Sequence, residues 1–166
     1  MGSRLPALTA AALTALLCAC AGPTAAAQSP SPSLENGCRT GPPEGGVHDP
    51  DRFQVLNPCT HAAGTVVDVA HEDDGDYHVW FTPDPAYAYL MNSENHFQAR
   101  PAMLAEITPD CALSSHPADA QSAARCPAST LPIPVIGEQV SMNGPWVLDT
   151  DHGWREIHPI DSIQIG

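Results

Sequence analysis

"GTVVDVAHEDDGDYHVWFTP", Gly64 to Pro83, decides the fold. Two runs rich in β-branched and aromatic residues flank Asp74-Gly75, and Asp-Gly between such runs is among the strongest short-range hairpin signals. The stretch predicts a strand over Gly64–Glu72, a tight turn, and a second strand over Asp76–Pro83.

Three further strand-like runs follow: "MLAEITP" (Met103–Pro109), "EQVSMNGPWVLD" (Glu138–Asp149) and "WREIHPIDSIQI" (Trp154–Ile165). Gly144-Pro145 should bend or bulge the fourth run, since neither residue suits a central ladder. Short helices fit between the runs. Asp84 can cap Pro85 and the residues after it, and Ser115 or His116 can cap Pro117 to Arg125, with proline at the first helical position in both. The resulting order is strand, strand, strand, helix, strand, strand. It predicts a mainly β domain, a small OB-like five-stranded Greek-key barrel with a short helix between strands 3 and 4. An open meander or a small sandwich is the alternative.

Upstream of the domain the composition changes twice. Arg4 and the apolar run Leu5 to Leu17 form a segment too short for a resident membrane span and read as an export signal. It ends in "LCAC", where Leu17, Ala19 and Cys20 resemble the lipobox of bacterial lipoproteins. Cys20 is therefore the expected lipidation site, with residues 1–20 as leader. "AAAQ" (Ala25–Gln28) offers a competing A-x-A cut that would release a soluble secreted protein. Residues 21–46 are Pro, Ser, Ala and Gly with few apolar anchors, the composition of a disordered tether, so the domain is expected over 47–166. The expected location is the extracytoplasmic face of a cell membrane.

Cysteine usage agrees with export. Besides Cys18 and Cys20, four cysteines remain: Cys38, Cys59, Cys111 and Cys126. An even number in an exported domain implies two disulfides, with three possible connectivities. Cys38–Cys59 and Cys111–Cys126 are the expected pairs. The charge is lopsided as well. Without Arg4 the chain keeps five arginines and no lysine against nineteen acids, a formal charge of −14. Such a surface repels phosphate backbones and anionic headgroups, so nucleic acid is not an expected partner and only the lipid should hold the protein at a membrane.

"PCTHAAGTVVDVAHEDDGDYHVWFTPDP", "LMNSEN" and "GPWVLDTDHGWREIHPIDSI" together resemble a family of uncharacterised exported bacterial proteins. Its members share a DGDxH hairpin and a DTxHGWxEIHP-like C-terminal strand pair. The resemblance spans about residues 50–163 and implies the fold and export rather than a mechanism.

Recognised catalytic signatures do not occur: there is no G-x-S-x-G, H-E-x-x-H or P-loop. The polar clusters are the remaining candidates. A two-residue Asp74-Gly75 turn would set His71 directly opposite His78, close enough to share a divalent ion such as zinc, with Asp73 and Asp76 further along the same face. A three-residue loop would break that pairing. In "LDTDHGWREIHP" (Leu148–Pro159), Trp154, Glu156 and His158 share one strand face. His152, Glu156 and His158 could then form a site. The competing reading makes "DTDHG" a turn whose Asp side chains bind backbone N–H groups around Gly153, and His158-Pro159 an edge position. In an OB-like order His158 and His78 lie two strands apart, roughly 10 Å, so a shared ion would need help from turn residues. Imidazole nitrogens and carboxylate oxygens converging within about 4–5 Å would mark a metal site. The residues thus favour a lipid-anchored envelope binding module for another envelope protein or a small ligand. The alternative is a metal-binding or metal-dependent hydrolytic domain using His71, His78, His152, Glu156 and His158.

Overall fold

The computed structural model describes residues 34–43, 47, 49–97, 101–109 and 130–166. The chain divides into Met1–Pro30 and Ser31–Gly166, and all described residues belong to the second unit. The leader, Cys20, most of the tether, Cys111, Cys126 and the helix expected at Pro117–Arg125 lie outside the described residues. No helix among those described is long and apolar enough to cross a membrane.

The elements in chain order are β1 (Leu34–Glu35), β2 (Cys38–Arg39), β3 (Phe53–His71), β4 (Tyr77–Pro83), α1 (Ser93–Phe97), β5 (Met103–Ile107), β6 (Gln139–Asp149), β7 (Arg155–Ile157) and β8 (Ser162–Ile165). Antiparallel ladders join β3 to β4, β4 to β5, β6 to β7 and β3 to β6, while β5 and β7 run parallel. The pairings pass from β3 through β4, β5, β7 and β6 and return to β3. This is the OB-like order, in which the fifth strand lies beside the third. The mainly β, OB-like architecture expected from the hairpin and its neighbours is the one the chain adopts.

Three details differ from the sequence-based reading. The first barrel strand begins at Phe53 rather than Gly64 and runs for 19 residues. Its N-terminal half pairs with β6 from Phe53↔Asp149 onward, and register shifts at Asn57 and Thr60 bracket Pro58, whose missing N–H cannot enter a ladder. The fourth strand is unbroken over its 11 residues. Gly144 serves a close approach rather than a bend: a Cβ there would collide with the Pro159 carbonyl oxygen and lie 2.8 Å from Ile157 Cγ2. The fifth strand is split into β7 and β8 by residues 158–161, which include a cis His158–Pro159 bond. Within that break Ile160 N–H donates to Glu106 O at 2.7 Å and Asp161 N–H to Asn143 O at 2.8 Å, so the kinked segment stays tied to both neighbouring strands.

Val66, Val79, Phe81, Met103, Ala105, Ile107, Val140, Met142 and Ile157 fill the core, with Leu90 from the 3-10 helix Pro85–Leu90 laid against them. Asp84 precedes that helix, but its carboxylate does not cap it; it accepts from Gln139 Nε2 at 2.9 Å. A second tie holds the β1–β2 hairpin. The Cys38–Cys59 disulfide forms as expected, Arg39 is ion-paired to Asp161, and Ser162 Oγ donates to Gly37 O at 2.7 Å.

Strand alternation positions the site. Val79, Phe81, Ala105 and Ile157 point into the core, so His78, Glu106, Glu156 and His158 face the other side. That outer face is nonetheless covered: Glu106, Glu156 and His158 are all buried.

Candidate functional site

The hairpin register excludes the pairing of His71 with His78. Glu72 N–H donates to Asp76 O at 2.8 Å and Gly75 N–H to Glu72 O at 3.0 Å, which closes a three-residue loop over 73–75. Gly75, at φ 97°, supplies the left-handed position such a loop requires. The register becomes His71↔Tyr77 and Ala70↔His78. A slip of one residue moves a side chain to the opposite face. His71 therefore stacks on Tyr77, with ring centroids 4.4 Å apart, and leaves the candidate set.

His152 also stays apart. Its Nδ1 lies 2.8 Å from Asp149 Oδ2, and its ring stacks on Trp154 at 4.3 Å. Asp149 Oδ1 accepts from the backbone N–H of Asp151 at 2.8 Å and of His152 at 3.1 Å, while Gly153 sits at φ 79°. "DTDHG" is thus a turn organised by an aspartate side chain. Burial raises the Asp149 pKa, but the bonds from His152 and the nearby Arg52 charge outweigh it and hold the carboxyl below its usual range.

The other three residues do come together, through a residue the spacing did not point to. Glu106, on β5, is the ladder partner of His78 on β4 and lies beside the end of β7. Its Oε1 is 3.1 Å from His78 Nε2 and its Oε2 is 3.2 Å from His158 Nδ1. The same His158 Nδ1 is 3.0 Å from Glu156 Oε1, and Trp154 Nε1 donates to Glu156 Oε2 at 2.9 Å. Ionised carboxylates only accept, so the His158 Nδ1–H donates and the tautomer is set. Glu106 bridges the two histidines.

Far from being an edge position, His158 is buried between strands. Its N–H donates to Pro145 O at 3.0 Å, and its ring lies 4.6 Å from that of Phe53. Its Nε2 is buried with no hydrogen-bond partner. The turn residue Asp76 completes the group: one donor atom each from Asp76, Glu106 and His158 lie within 4.8 Å of one another.

Above this group opens a cleft of about 310 Å³ lined by Arg52, Glu72, Asp73, Asp74, Asp76, His78, Glu106 and His158. Five carboxylates therefore face a single arginine. Arg52 itself leans toward Asp149, with Nη1 3.6 Å from Oδ2, and over the Phe53 ring at 4.5 Å.

Burial and the neighbouring charges shift the titration of His158, Asp76, His78 and Glu106. Burial lowers the His158 pKa, but the Glu106 and Glu156 carboxylates overcome this and push it up to about 9. Burial, then the Glu106 and Asp74 charges, push Asp76 up to about 7. His78 is also raised: burial opposes its charge, but Glu106 and Glu72 favour it more. Burial disfavours ionised Glu106, yet the two histidines hold its carboxyl below the usual range. With a cation present, an imidazole nitrogen and two carboxylate oxygens are already gathered.

Comparison with known proteins adds no relative: no family model, no curated protein and no solved structure matches the chain. Glu106 and Arg52 were not singled out from the sequence, and Asp76 entered only as a neighbour on the face of the expected His71–His78 pair. Glu106 carried one usable signal, as the lone charge in the strand "MLAEI".

Proposed function

We propose that this chain is an exported, lipid-anchored binding module of the cell envelope that takes a cationic ligand on the outer face of its β-barrel. The convergence of Asp76, Glu106 and His158 beneath the acidic cleft carries the reading. Fold and charge support it. OB-like barrels bind ligands on the face of their second and third strands, flanked by the loops joining strands 1–2 and 4–5. Here β4, β5 and the loop from Glu72 to Asp76 supply His78, Glu106 and Asp76. A protein of this acidity attracts cations and disfavours nucleic acid. The anchor rests on the "LCAC" lipobox at Cys20, and the disulfide Cys38–Cys59 suits an oxidising compartment.

Two measurements test the two halves of this reading. In membrane fractionation the wild-type chain partitions with the membrane and Cys20→Ala does not; a membrane-bound Cys20→Ala protein contradicts the anchor. In thermal unfolding of the full chain with zinc, manganese, calcium, magnesium or 1,4-diaminobutane, at least one cation raises the midpoint in wild type and does so less in Asp76→Asn. No shift with any of them contradicts the cation site.

The rival reading, metal-dependent hydrolysis, draws on one observation: the cleft of about 310 Å³ opens directly onto Asp76, Glu106 and His158, leaving room for a substrate beside a bound ion. It requires turnover of ester or phosphoester substrates that depends on added metal and falls in Asp76→Asn.

A further inference from the structure

We infer that the cation is a divalent first-row transition metal, held by the carboxylates of Asp76 and Glu106 and by Nε2 of His158. The inference rests on the cation-site reading above and narrows it to one ligand chemistry.

Three observations carry it. First, the donors are mixed: each of Asp76, Glu106 and His158 offers one atom within 4.8 Å of the others, a carboxylate oxygen from each acid and a ring nitrogen from the histidine. Glu106 now lies 3.2 Å from Nδ1, so its side chain must swing to meet an ion on Nε2. Imidazole suits zinc, iron, copper and nickel, whereas calcium and magnesium take oxygen shells.

Second, Nε2 of His158 is buried without a partner on a side chain that is 1% exposed and lines the cleft. A buried nitrogen left unpaired costs about 1–3 kcal/mol, and a metal bond would satisfy it.

Third, the far side of that imidazole is already arranged. Nδ1–H donates to Glu156 Oε1 at 3.0 Å, and Glu156 Oε2 is in turn fixed by Trp154 Nε1 at 2.9 Å. A carboxylate behind a histidine fixes its tautomer and makes the opposite nitrogen a better ligand. Glu156 and Trp154 are thus positioning residues, and His78 does the same for Glu106 from 3.1 Å.

Three protein donors leave coordination positions open toward the cleft. Glu72, Asp73 and Asp74 at its rim supply negative charge that draws the ion in.

The test is calorimetric titration of the metal-stripped full chain in detergent with zinc, nickel, calcium and magnesium chlorides and with 1,4-diaminobutane at one pH. We expect one zinc or nickel ion per chain, calcium and magnesium at least tenfold weaker, and at least tenfold losses for zinc or nickel in both Asp76→Asn and His158→Gln. Asp51→Asn, exposed and outside the cleft, binds as wild type. Circular dichroism identifies a variant that has lost its fold; if His158→Gln unfolds, Asp76→Asn decides alone. Transition-metal binding that survives Asp76→Asn overturns the assignment. So does calcium, magnesium or 1,4-diaminobutane binding as tightly as zinc, although a cation site would then remain. No binding by any cation overturns this inference and the cation-site reading together.

Discussion

Glu106 Oε2 lies 3.2 Å from His158 Nδ1 across two parallel-paired strands, and both side chains are almost fully buried. Each charge is balanced there by the other, together with Glu156 beside His158 and His78 beside Glu106. Removing one member of a buried ion pair costs about 3–5 kcal/mol, because the remaining charge is stranded. Glu106→Ala should therefore lower the unfolding free energy of the metal-free protein by about that amount, measured by urea denaturation. A loss of less than about 1 kcal/mol would mean that the cluster is solvated rather than buried.

The same cluster sets a pH dependence. The folded-state pKa of His158 is raised from 6.5 to about 9, so its contribution is complete below pH 6.5 and disappears as pH rises through 9. Asp76 acts in the same direction. Raised to about 7, its carboxyl is held neutral by the fold, and ionising it costs stability as pH climbs from 3.8. Glu106 and Asp149, both held low, oppose this only in acid, where their contributions vanish as pH falls through their folded values. Metal-free stability should peak in mild acid and fall toward pH 9, with His158 alone accounting for on the order of 3 kcal/mol. A urea series in the presence of chelator checks this, and equal stability at pH 6 and pH 9 would contradict it.

Gly144→Ala probes the geometry that places His158. The added methyl would meet the Pro159 carbonyl and Ile157 Cγ2, forcing the kinked segment away from β6. Overpacking of this kind costs roughly 1–3 kcal/mol. The displaced backbone carries His158, so cation affinity should fall along with the melting midpoint. A variant with wild-type affinity would show that the site does not depend on this contact.

The disulfide should affect stability without affecting the site. Cys38–Cys59 closes a sequence separation of 21 and fastens the β1–β2 hairpin, while none of its neighbours lines the acidic cleft. Replacing both cysteines by serine should lower stability by up to about 3 kcal/mol on the chain-entropy account and leave cation binding unchanged. A tenfold change in affinity in the double variant would contradict that separation.

The hairpin, the strand order and the first disulfide were legible because each rests on local chemistry: β-branched runs, an Asp-Gly turn, and an even set of domain cysteines. The long start of β3 was not, since "FQVLNPCTHAAG" contains a proline and little alternation, and only its partner β6 makes it a strand. His78, Glu156 and His158 were recognisable as a polar group, but whether they meet depends on register. A loop of three residues instead of two sends His71 to the other face, and no local rule decides between those loops. Glu106 was hidden for a different reason. Its apolar neighbours mark a buried strand, and only the parallel pairing with β7 shows that two histidines flank it.

Anomalous X-ray scattering from crystals of the full domain equilibrated with zinc tests the central claim most directly. We expect one strong peak between Asp76, Glu106 and His158, with zinc about 2.0–2.2 Å from His158 Nε2 and from one oxygen of each carboxylate. A cleft without anomalous density, while zinc occupies only surface histidines such as His71 or His152, would contradict it.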